Sequence, residues 1–336
     1  MRASFLQIGL IVLPNRVALA PMSGVTDVVF RRIAARLGAG WVVSEMVAAN
    51  GLAARDSESR LRAEGSGLGI HVVQLAGRDP QWIAEGARVA VASGAAIVDL
   101  NMGCPAKKVV GGYGGAALLK DLDLAVRLVD AAVGAVDVPV TVKMRLGWGE
   151  GDLVAPELAR RAEGAGARLL TVHGRTRAQF YTGRADWRAI RSVVESVKIP
   201  VIANGDVVRP EDAAAILDRS GAAGVMIGRG AQGKAWLPGQ TARFLATGTV
   251  PASPSLSTQL DLALEHYDGL LDLLGPAVGV RHARKHLGWY LDAAGDTAGR
   301  PAEPALRARI LGASNPSDVR ILMAEAFAAL RLRRAA

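Results

Sequence analysis

Cysteine is almost absent from this sequence. Cys104 is the single cysteine among 336 residues, which excludes a disulfide within the chain and any zinc or iron–sulfur site built from several thiolates. Such cysteine usage is typical of a reducing compartment. No stretch of the sequence reaches the roughly 18 consecutive apolar residues of a membrane span. We therefore expect a cytoplasmic protein without a membrane segment.

Secretory, metal-binding and dinucleotide-binding motifs are also missing. Residues 1–20 begin like a signal peptide, but Pro14, Asn15 and Arg16 interrupt the apolar stretch before any cleavage site. The five histidines include no H-x-H pair and no H-E-x-x-H motif, so we expect no bound metal ion. No G-x-G-x-x-G motif follows the first predicted strand, which argues against a dinucleotide-binding sheet.

The sequence does contain a regular alternation of two patterns. Short apolar runs of β-type residues are each followed by an amphipathic helical segment, and the runs are apolar on both faces, as parallel strands covered by helices should be. Eight such units in about 240 residues predict a TIM barrel, with an open doubly wound sheet as the alternative. The predicted strands are 16–22, 41–46, 70–77, 97–103, 138–145, 169–175, 200–206 and 224–230.

The pattern changes near residue 250. Residues 248–259 are rich in proline, serine and threonine, which is typical of a linker. Beyond them the β-type runs disappear, and Tyr267, Leu271 and Leu274 have helical spacing. We therefore predict two domains, a barrel of residues 1–250 and a small all-helical domain of residues 251–336.

Polar or reactive residues follow nearly every predicted strand. The carboxyl ends of the strands of a TIM barrel meet at one rim, where the active site lies. Any one of these residues could be purely structural, but their convergence predicts a functional site. In strand order they are Pro21, Met22 and Ser23; Glu45; Gln74; Asn101 and Cys104; Lys143 and Arg145; His173 and Arg175; Asn204, Gly205 and Asp206; and Gly228, Arg229 and Gly230.

The last two strand ends indicate a phosphate site. Gly205 and Gly228 allow the backbone to approach a ligand closely, and the loops after the seventh and eighth strands commonly bind phosphate in this fold. Arg229 could add a positive charge. A phosphorylated substrate or cofactor is therefore expected, and Lys143 beside the pyrimidine edge of a flavin would stabilise its anionic reduced form.

The charge balance leaves the partner open. A net charge of +9 is compatible with a polyanionic partner. It is equally compatible with a protein from an arginine-rich proteome.

Several motifs resemble those of the tRNA-dihydrouridine synthases, in order and at that family's spacing. The N-x-G-C-P motif, with K-x-R and H-G-R downstream, is the most specific part. The resemblance is close over residues 8–245 and looser in the tail, where "ARKHLGWYL" (283–291) is similar to the B-type bacterial branch. The other motifs are "LAPMSGVTD", "VVQLAG", "DLNMGCPAKKV", "VKMRLGW", "VHGRTR", "PVIANGDV" and "MIGRGAQGKAW".

This resemblance implies a flavoenzyme acting on tRNA. A member would bind FMN in its barrel, take electrons from NADPH and hold tRNA with its helical domain. The reduced flavin would give a hydride to C6 of a D-loop uracil, and Cys104 would give a proton to C5. We expect a monomer. The implied cofactor-binding residues are Pro21, Met22, Gln74, Lys143, His173, Asn204, Gly205, Asp206, Gly228 and Arg229.

The resemblance also implies a set of substrate contacts. Asn101 would hold the uracil or the flavin edge, and Gln179 and Tyr181 would line the substrate pocket. The "RHARKH" cluster (281–286) could equally be a solvated helix face. The residues expected to contact RNA are Arg145, Arg175, Arg177, Lys107, Lys108, Arg281 and Lys285.

The chemistry of Cys104 agrees with an acid role. Reduction of a uracil C5=C6 bond needs a hydride donor and an acid, and a thiol is largely protonated near neutral pH. A buried core cysteine is the alternative, but Gly103, Pro105 and Lys107 are neighbours typical of a loop.

Two other functions remain open. A small-molecule flavin oxidoreductase of the dihydroorotate-dehydrogenase type would share the barrel and the FMN site, but would need neither a basic rim nor a helical tail. A tRNA-binding folding helper would need the basic surface but neither Cys104 nor Lys143. The "GGY" segment (111–113) departs from the family pattern, which usually has basic residues there.

Overall fold

Eight parallel strands close into a barrel in the computed structural model, which describes residues 6–112 and 114–332. Around the barrel the strand order is β10-β3-β4-β5-β6-β7-β8-β9, so neighbours in sequence are neighbours in space. The predicted TIM barrel is confirmed, and the open sheet is excluded. The strands are β1 (Leu6–Ile8), β2 (Ile11–Leu13), β3 (Val17–Leu19), β4 (Trp41–Ala48), β5 (His71–Ala76), β6 (Ile97–Met102), β7 (Val140–Arg145), β8 (Leu169–His173), β9 (Val201–Asn204) and β10 (Gly224–Ile227).

Helices cover the outside of the barrel. The α-helices of the barrel region are α1 (Val28–Arg36), α2 (Ala49–Ala53), α3 (Ser57–Ala63), α4 (Pro80–Ala92), α5 (Lys107–Gly111), α6 (Leu122–Val133), α7 (Ala155–Gly164), α8 (Ala189–Ser196), α9 (Pro210–Ser220) and α10 (Leu237–Thr247). Short 3-10 helices add Gly115–Lys120 and Arg229–Ala231.

Local sequence explains where these helices begin. Asp79 caps α4 by accepting a hydrogen bond from the N–H of Gln81, and Pro80 occupies the first turn, where its missing N–H costs nothing. Pro210 opens α9 in the same way. The carboxylate of Asp27 caps α1 by accepting from the N–H of Phe30.

An antiparallel hairpin of β1 and β2 precedes the barrel and was not predicted. Leu6, Ile8 and Leu13 are buried against the interior of the barrel, whereas Leu10 at the turn is 95% exposed. The hairpin therefore plugs the end of the barrel opposite the strand carboxyl ends. Its three-residue strands are too short to show a period in the sequence.

The tail is an all-helical unit with its own core. Its helices are α11 (Leu256–Leu274), α12 (Pro276–Ala298), α13 (Pro304–Gly312) and α14 (Pro316–Arg331). Ser255 caps α11, so this helix begins inside the segment interpreted as a linker. A separate hydrophobic cluster that includes Tyr267, Leu291 and Phe327 holds the four helices together. Within the described part of the chain, no helix is both long and apolar enough to cross a membrane.

Candidate active site

A cavity of about 1230 Å³ opens at the carboxyl ends of the barrel strands. Such ends are where TIM-barrel enzymes place their chemistry. The cavity brings together twelve of the residues singled out from the sequence: Pro21, Met22, Ser23, Gln74, Asn101, Cys104, Lys108, Lys143, Arg145, His173, Tyr181 and Arg229.

A chain of hydrogen bonds supports the floor of this cavity: Gln74 and Asn101 line the cavity, and Asp99 and Thr141 lie deeper in the barrel. Asp99 accepts from Gln74 Nε2 at 2.7 Å and from Thr141 Oγ1 at 2.6 Å. Asn101 Nδ2 donates to Gln74 Oε1 at 2.8 Å. Burial raises the pKa of Asp99, although the bonds from Thr141 and Gln74 act in the opposite direction. We call these four residues the floor network; it fixes the Gln74 and Asn101 amides in one orientation.

Cys104 lies on the cavity wall and is half-buried. Its N–H donates to Asn101 Oδ1 at 2.9 Å, and Arg145 Nε donates to the Gly103 carbonyl at 2.9 Å. Gly115 has φ +58°, and a Cβ there would lie 2.8 Å from the Cys104 carbonyl. The loop that carries the thiol is therefore held from three sides.

Two basic groups that line the cavity have lowered pKa values. Burial, together with the charge of Arg145, lowers the pKa of Lys143 to about 8, while Asp99 and Cys104 act in the opposite direction. Burial and the nearby cations lower the pKa of His173 well below its usual value. His173 is therefore neutral near pH 7, and most of the Lys143 side chains carry a proton.

Arg145 and Arg175 are both buried. Arg175 does not line the cavity, which argues against the expectation that it faces RNA, whereas Arg145 does line it and its contact with substrate stays a prediction. Each is only 2% exposed. Arg145 donates to the carbonyls of Thr176 and Phe180. A long, charged side chain at a strand end can hold a loop in place by donating hydrogen bonds to its backbone carbonyls. The sequence pattern does not distinguish this structural role from contact with RNA.

Arg175 makes a bidentate ion pair with Asp206. Its Nη1 lies 2.8 Å from Asp206 Oδ1, and its Nη2 lies 2.7 Å from Asp206 Oδ2. It also donates to the carbonyls of Thr182 and Gly183. Burial would raise the pKa of Asp206, but the hydrogen bonds and charge of Arg175 lower it overall. The Asp206 carboxylate therefore serves Arg175 and is not itself available to a phosphate.

The other residues of the predicted phosphate site have mixed placements. Asn204 is buried, and its Nδ2 donates to the Met226 carbonyl across the β9–β10 pair at 2.8 Å. A Cβ on Gly205 would lie 2.7 Å from Ala185 Cβ, so close packing already requires this glycine. Neither lines the cavity, nor does Gly228. Phosphate contact by their backbone N–H groups stays a prediction.

Arg229 and Tyr181 form part of the cavity rim. The Arg229 side chain is 51% exposed, and its guanidinium carbon lies 4.8 Å from the centre of the Tyr181 ring. Gln179 does not line the cavity; its Oε1 accepts from the Thr176 N–H at 2.8 Å and closes the turn before Tyr181. This placement corrects the expectation that Gln179 lines the pocket, because its amide is used within the turn.

The remaining residues expected to contact RNA surround the cavity at different distances. Lys107 and Lys108 are exposed on α5 beside the mouth. Arg177 is half-buried, with its guanidinium carbon 4.7 Å from the centre of the Trp148 ring. Arg281 is exposed on α12, and Lys285 lies beside Gly24 of the loop after β3. The tail therefore approaches the same rim as the barrel loops.

Asp99 and Thr141, which support the site through Gln74, were not predicted from the sequence. A carboxylate within the apolar run "IVDLNMG" was a usable signal, because a buried acid requires partners. Glu45 was found at the rim, and the structure shows its function there: it accepts a hydrogen bond from the Gly24 N–H. Burial raises the pKa of Glu45.

The residues present fit a flavin. The cavity is at least as large as the roughly 300–1,000 Å³ typical of ligand sites. Lys143 offers a cation of the kind that stabilises an anionic reduced flavin. Met22 and Ala76 supply apolar wall, while Arg229 supplies a positive charge at the rim.

Comparison with known sequences identifies the family. The family described as "Dihydrouridine synthase (Dus)" matches residues 18–324. A "Probable tRNA-dihydrouridine synthase" of Rhizobium leguminosarum is 56% identical over 278 residues, covering 83% of this chain and 86% of the relative. A protein of the same description from Rickettsia conorii is 49% identical and covers 96% of both chains. The "tRNA-dihydrouridine synthase B" of Xanthomonas campestris is 47% identical, covering 85% of this chain and 86% of its own.

Solved structures agree with the fold. Morphinone reductase aligns with a TM-score of 0.52 at 16% identity, covering 76% of this chain and 91% of its own. An old yellow enzyme homologue from Zymomonas mobilis aligns with a TM-score of 0.52 at 15% identity, covering 76% and 95%. At these identities the likeness concerns the barrel alone. The family match and the curated relatives carry the assignment: the chain belongs to the dihydrouridine synthase family of flavin-dependent oxidoreductases.

Proposed function

We propose that the protein is an FMN-dependent tRNA-dihydrouridine synthase that uses NADPH and reduces a uridine of the tRNA D-loop in the cytoplasm. The observation that carries this proposal is the position of Cys104. The half-buried thiol lies on a cavity wall that also carries Asn101, Lys143 and His173. The names of the curated relatives support tRNA as the substrate.

The cofactor site proposed here is the part of the cavity around Lys143. FMN, when bound, would supply the hydride for C6 of the uracil. Pro21, Met22, Gln74 and Lys143 would hold its ring system, and neutral His173 would contribute a hydrogen bond. Arg229, with the backbone of the loops after β9 and β10, would bind its phosphate.

The proton for C5 would come from Cys104. The floor network holds the Asn101 side chain, and Asn101 in turn accepts the Cys104 N–H. The amide therefore positions the loop that carries the acid. The nearby Lys143 charge would stabilise the thiolate that remains after proton transfer, since Cys104 and Lys143 are close enough to interact electrostatically.

The rim of the cavity would have to bind the tRNA while the target uracil enters the cavity. A uracil stacked in folded tRNA must be turned out of its stack to enter a cavity of this kind. Lys107 and Lys108 at the mouth, with Arg281 and Lys285 on α12, would contact phosphates on either side of the target. Tyr181, 43% exposed at the rim, could stack on the extruded base.

The test is mass spectrometry of unmodified tRNA after incubation with the purified protein, FMN and NADPH. Wild type should add two hydrogens to a D-loop uridine. Cys104→Ala should lower the single-turnover rate by about 10²–10⁴-fold while still binding FMN, because only the acid is lost. Cys104→Ser, which keeps a weaker donor, should fall between the two.

Each part of the proposal can fail separately. If wild type binds FMN but reduces no tRNA uridine, a small-molecule flavin oxidoreductase becomes the better assignment. If Cys104→Ala reacts as fast as wild type, the activity stands and the acid is another group.

A further inference from the structure

A cluster of three histidines and one aspartate lies where the tail meets the barrel. Asp27 caps α1 of the barrel, His266 lies on α11, and His282 and His286 lie on α12. The ligating atoms of Asp27, His282 and His286 all lie within 4.8 Å of one another. We call these four residues the histidine cluster. None of them lines the cavity described above.

His286 is the unusual member of the cluster. It is 2% exposed, and among the described residues neither of its ring nitrogens has a hydrogen-bond partner. The Nε2 of His282 is likewise buried without a partner in that part of the chain. A buried polar atom without a partner costs about 1–3 kcal/mol. Both imidazoles therefore have nitrogen lone pairs that an additional ligand could use.

We propose that Asp27, His282 and His286 bind a divalent transition-metal ion, with zinc as the best match. Two imidazoles and one carboxylate form a common zinc donor set. His282 and His286 are four residues apart on one helix, a spacing that places both rings on the same face. No metal was expected from the sequence because it contains neither H-x-H nor H-E-x-x-H, whereas this pair has the spacing H-x-x-x-H.

The distances suit an ion that draws the ligands slightly together. His286 Nε2 lies 4.0 Å from Asp27 Oδ2, which is too far for a hydrogen bond. Ligands of tetrahedral zinc, with bonds of about 2.1 Å, lie roughly 3.4 Å apart. A small side-chain movement therefore brings them into range. His282 is only half-buried and gives the ion a route from solvent.

Outer contacts fix the carboxylate in place. Asp27 Oδ1 accepts the Phe30 N–H at 3.0 Å, and Oδ2 lies 3.1 Å from His266 Nε2. His266 Nδ1 lies 3.2 Å from the Tyr290 hydroxyl. If Tyr290 donates to Nδ1, then Nε2 carries the proton and donates to Asp27. A histidine ordered in this way orients a metal-binding carboxylate.

Two nearby cations are directed elsewhere. Lys285 Nζ donates to the His282 carbonyl at 2.9 Å. Arg31 donates to the carbonyls of Thr26 and Glu64. These hydrogen bonds do not involve the side chains of the three proposed ligands, although both cations interact with the charge of Asp27.

A metal ion here would join the two domains. Asp27 belongs to the barrel and follows directly on the rim loop after β3, whereas both histidine ligands belong to α12. The ion would hold the tail helix, including Lys285, against the cavity rim. This inference concerns assembly of the protein and does not depend on the reaction proposed above.

The test measures metal directly on the full-length protein. Protein from zinc-supplemented medium, dialysed without a strong chelator, is analysed for zinc by plasma mass spectrometry; the metal-free protein is then titrated with Co²⁺. Wild type should hold about one zinc per chain and develop visible Co²⁺ absorption bands typical of tetrahedral coordination. His282→Gln should bind at least about tenfold more weakly, since one of three protein ligands is lost.

The matched control is His71→Gln. His71 is also buried with both ring nitrogens unpartnered among the described residues, but it is not part of the cluster. The control should keep wild-type metal content. Equal zinc in wild type and His282→Gln, or no Co²⁺ bands in wild type, would overturn the proposal and leave the cluster as a hydrogen-bonded interface. The Co²⁺ titration of wild type tests whether the site binds metal even if a variant fails to fold.

Discussion

The floor network and the histidine cluster are both buried and polar, but they differ in how completely their polar atoms are paired. In the floor network each of the four side chains takes part in at least one hydrogen bond to another member. In the histidine cluster His286 has no partner for either ring nitrogen among the described residues. A network satisfied by protein atoms holds a shape on its own, whereas an incompletely paired one has capacity for a ligand.

The same contrast applies to the cations of the barrel. Arg175 is fully engaged with Asp206 and two carbonyls, so it supports the loop after β8. Lys143 has a lowered pKa beside the cavity, which means that the protein alone does not fully compensate its charge. In these examples complete pairing accompanies structural support. Incomplete pairing is informative only where several unpaired groups converge, as in the histidine cluster, because His71 is also unpaired but stands alone.

Removing Arg175 should have the largest effect on stability. Arg175→Met leaves the Asp206 carboxylate without its bidentate partner and removes the donor to the carbonyls of Thr182 and Gly183. We expect a loss of about 3–5 kcal/mol in the free energy of unfolding, since breaking a buried pair leaves one charge uncompensated. Urea denaturation of the ligand-free protein measures this loss.

Arg229→Met is the matched control, because Arg229 also lies near Asp206, at 3.6 Å, but is 51% exposed. It should change the free energy of unfolding by less than about 1 kcal/mol. Equal losses for the two variants would contradict the view that Arg175 is structural and Arg229 is available to a ligand.

Lys143 should produce a smaller effect that depends on pH. Its pKa of about 8 lies below the ordinary lysine value of 10.5. Between these two pH values the unfolded chain binds more protons than the folded protein, so the stability of wild type rises with pH. Relative to Lys143→Met, wild type should gain about 3 kcal/mol between pH 7.5 and 10.5.

The measurement is denaturation of both ligand-free proteins across this pH range. Lys120→Met, which removes an exposed lysine stacked on Trp148, should follow the pH dependence of wild type. If the free energy of unfolding changes equally with pH in wild type and Lys143→Met, other protein groups already compensate the charge of the Lys143 ammonium. The affinity of wild type for reduced flavin should also fall as the pH rises through 8, because the neutral amine no longer favours the anionic reduced ring.

The barrel was predictable because its evidence is local. Runs such as 70–77 and 97–103 are apolar on both faces, and Asp79-Pro80 marks a helix start that the structure confirms at Pro80. The hairpin of β1 and β2 was not predicted, since it depends on the burial of three-residue strands against a barrel already formed. Tyr113 of the unusual "GGY" segment lies outside the described residues.

The site was predictable as a set of positions but not as a set of partners. The rim position of Cys104 and Lys143 follows from the strand ends. The pairing of Arg175 with Asp206 joins residues 31 positions apart, and the sequence alone makes an arginine at a rim look free to contact RNA. The histidine cluster was missed for the same reason, because Asp27 and His266 are 239 positions apart.

The smallest effect on the free energy of unfolding should come from an exposed ion pair. This pair joins α1 and α11, the same two helices that the buried contact between Asp27 and His266 joins. Arg36 on α1 pairs with Glu265 on α11, and the two side chains are 57% and 43% exposed. Glu265→Gln should cost about 0.2–1 kcal/mol at low salt and nothing measurable near 1 M salt, where the Debye length is about 3 Å. Asp27→Asn, which retains an oxygen for the helix cap, should cost several times more and should be insensitive to salt. Denaturation at two ionic strengths measures the free energy of unfolding of both variants. A larger loss of this free energy for Glu265→Gln than for Asp27→Asn would mean that surface charge, rather than the buried cluster, holds the tail on the barrel.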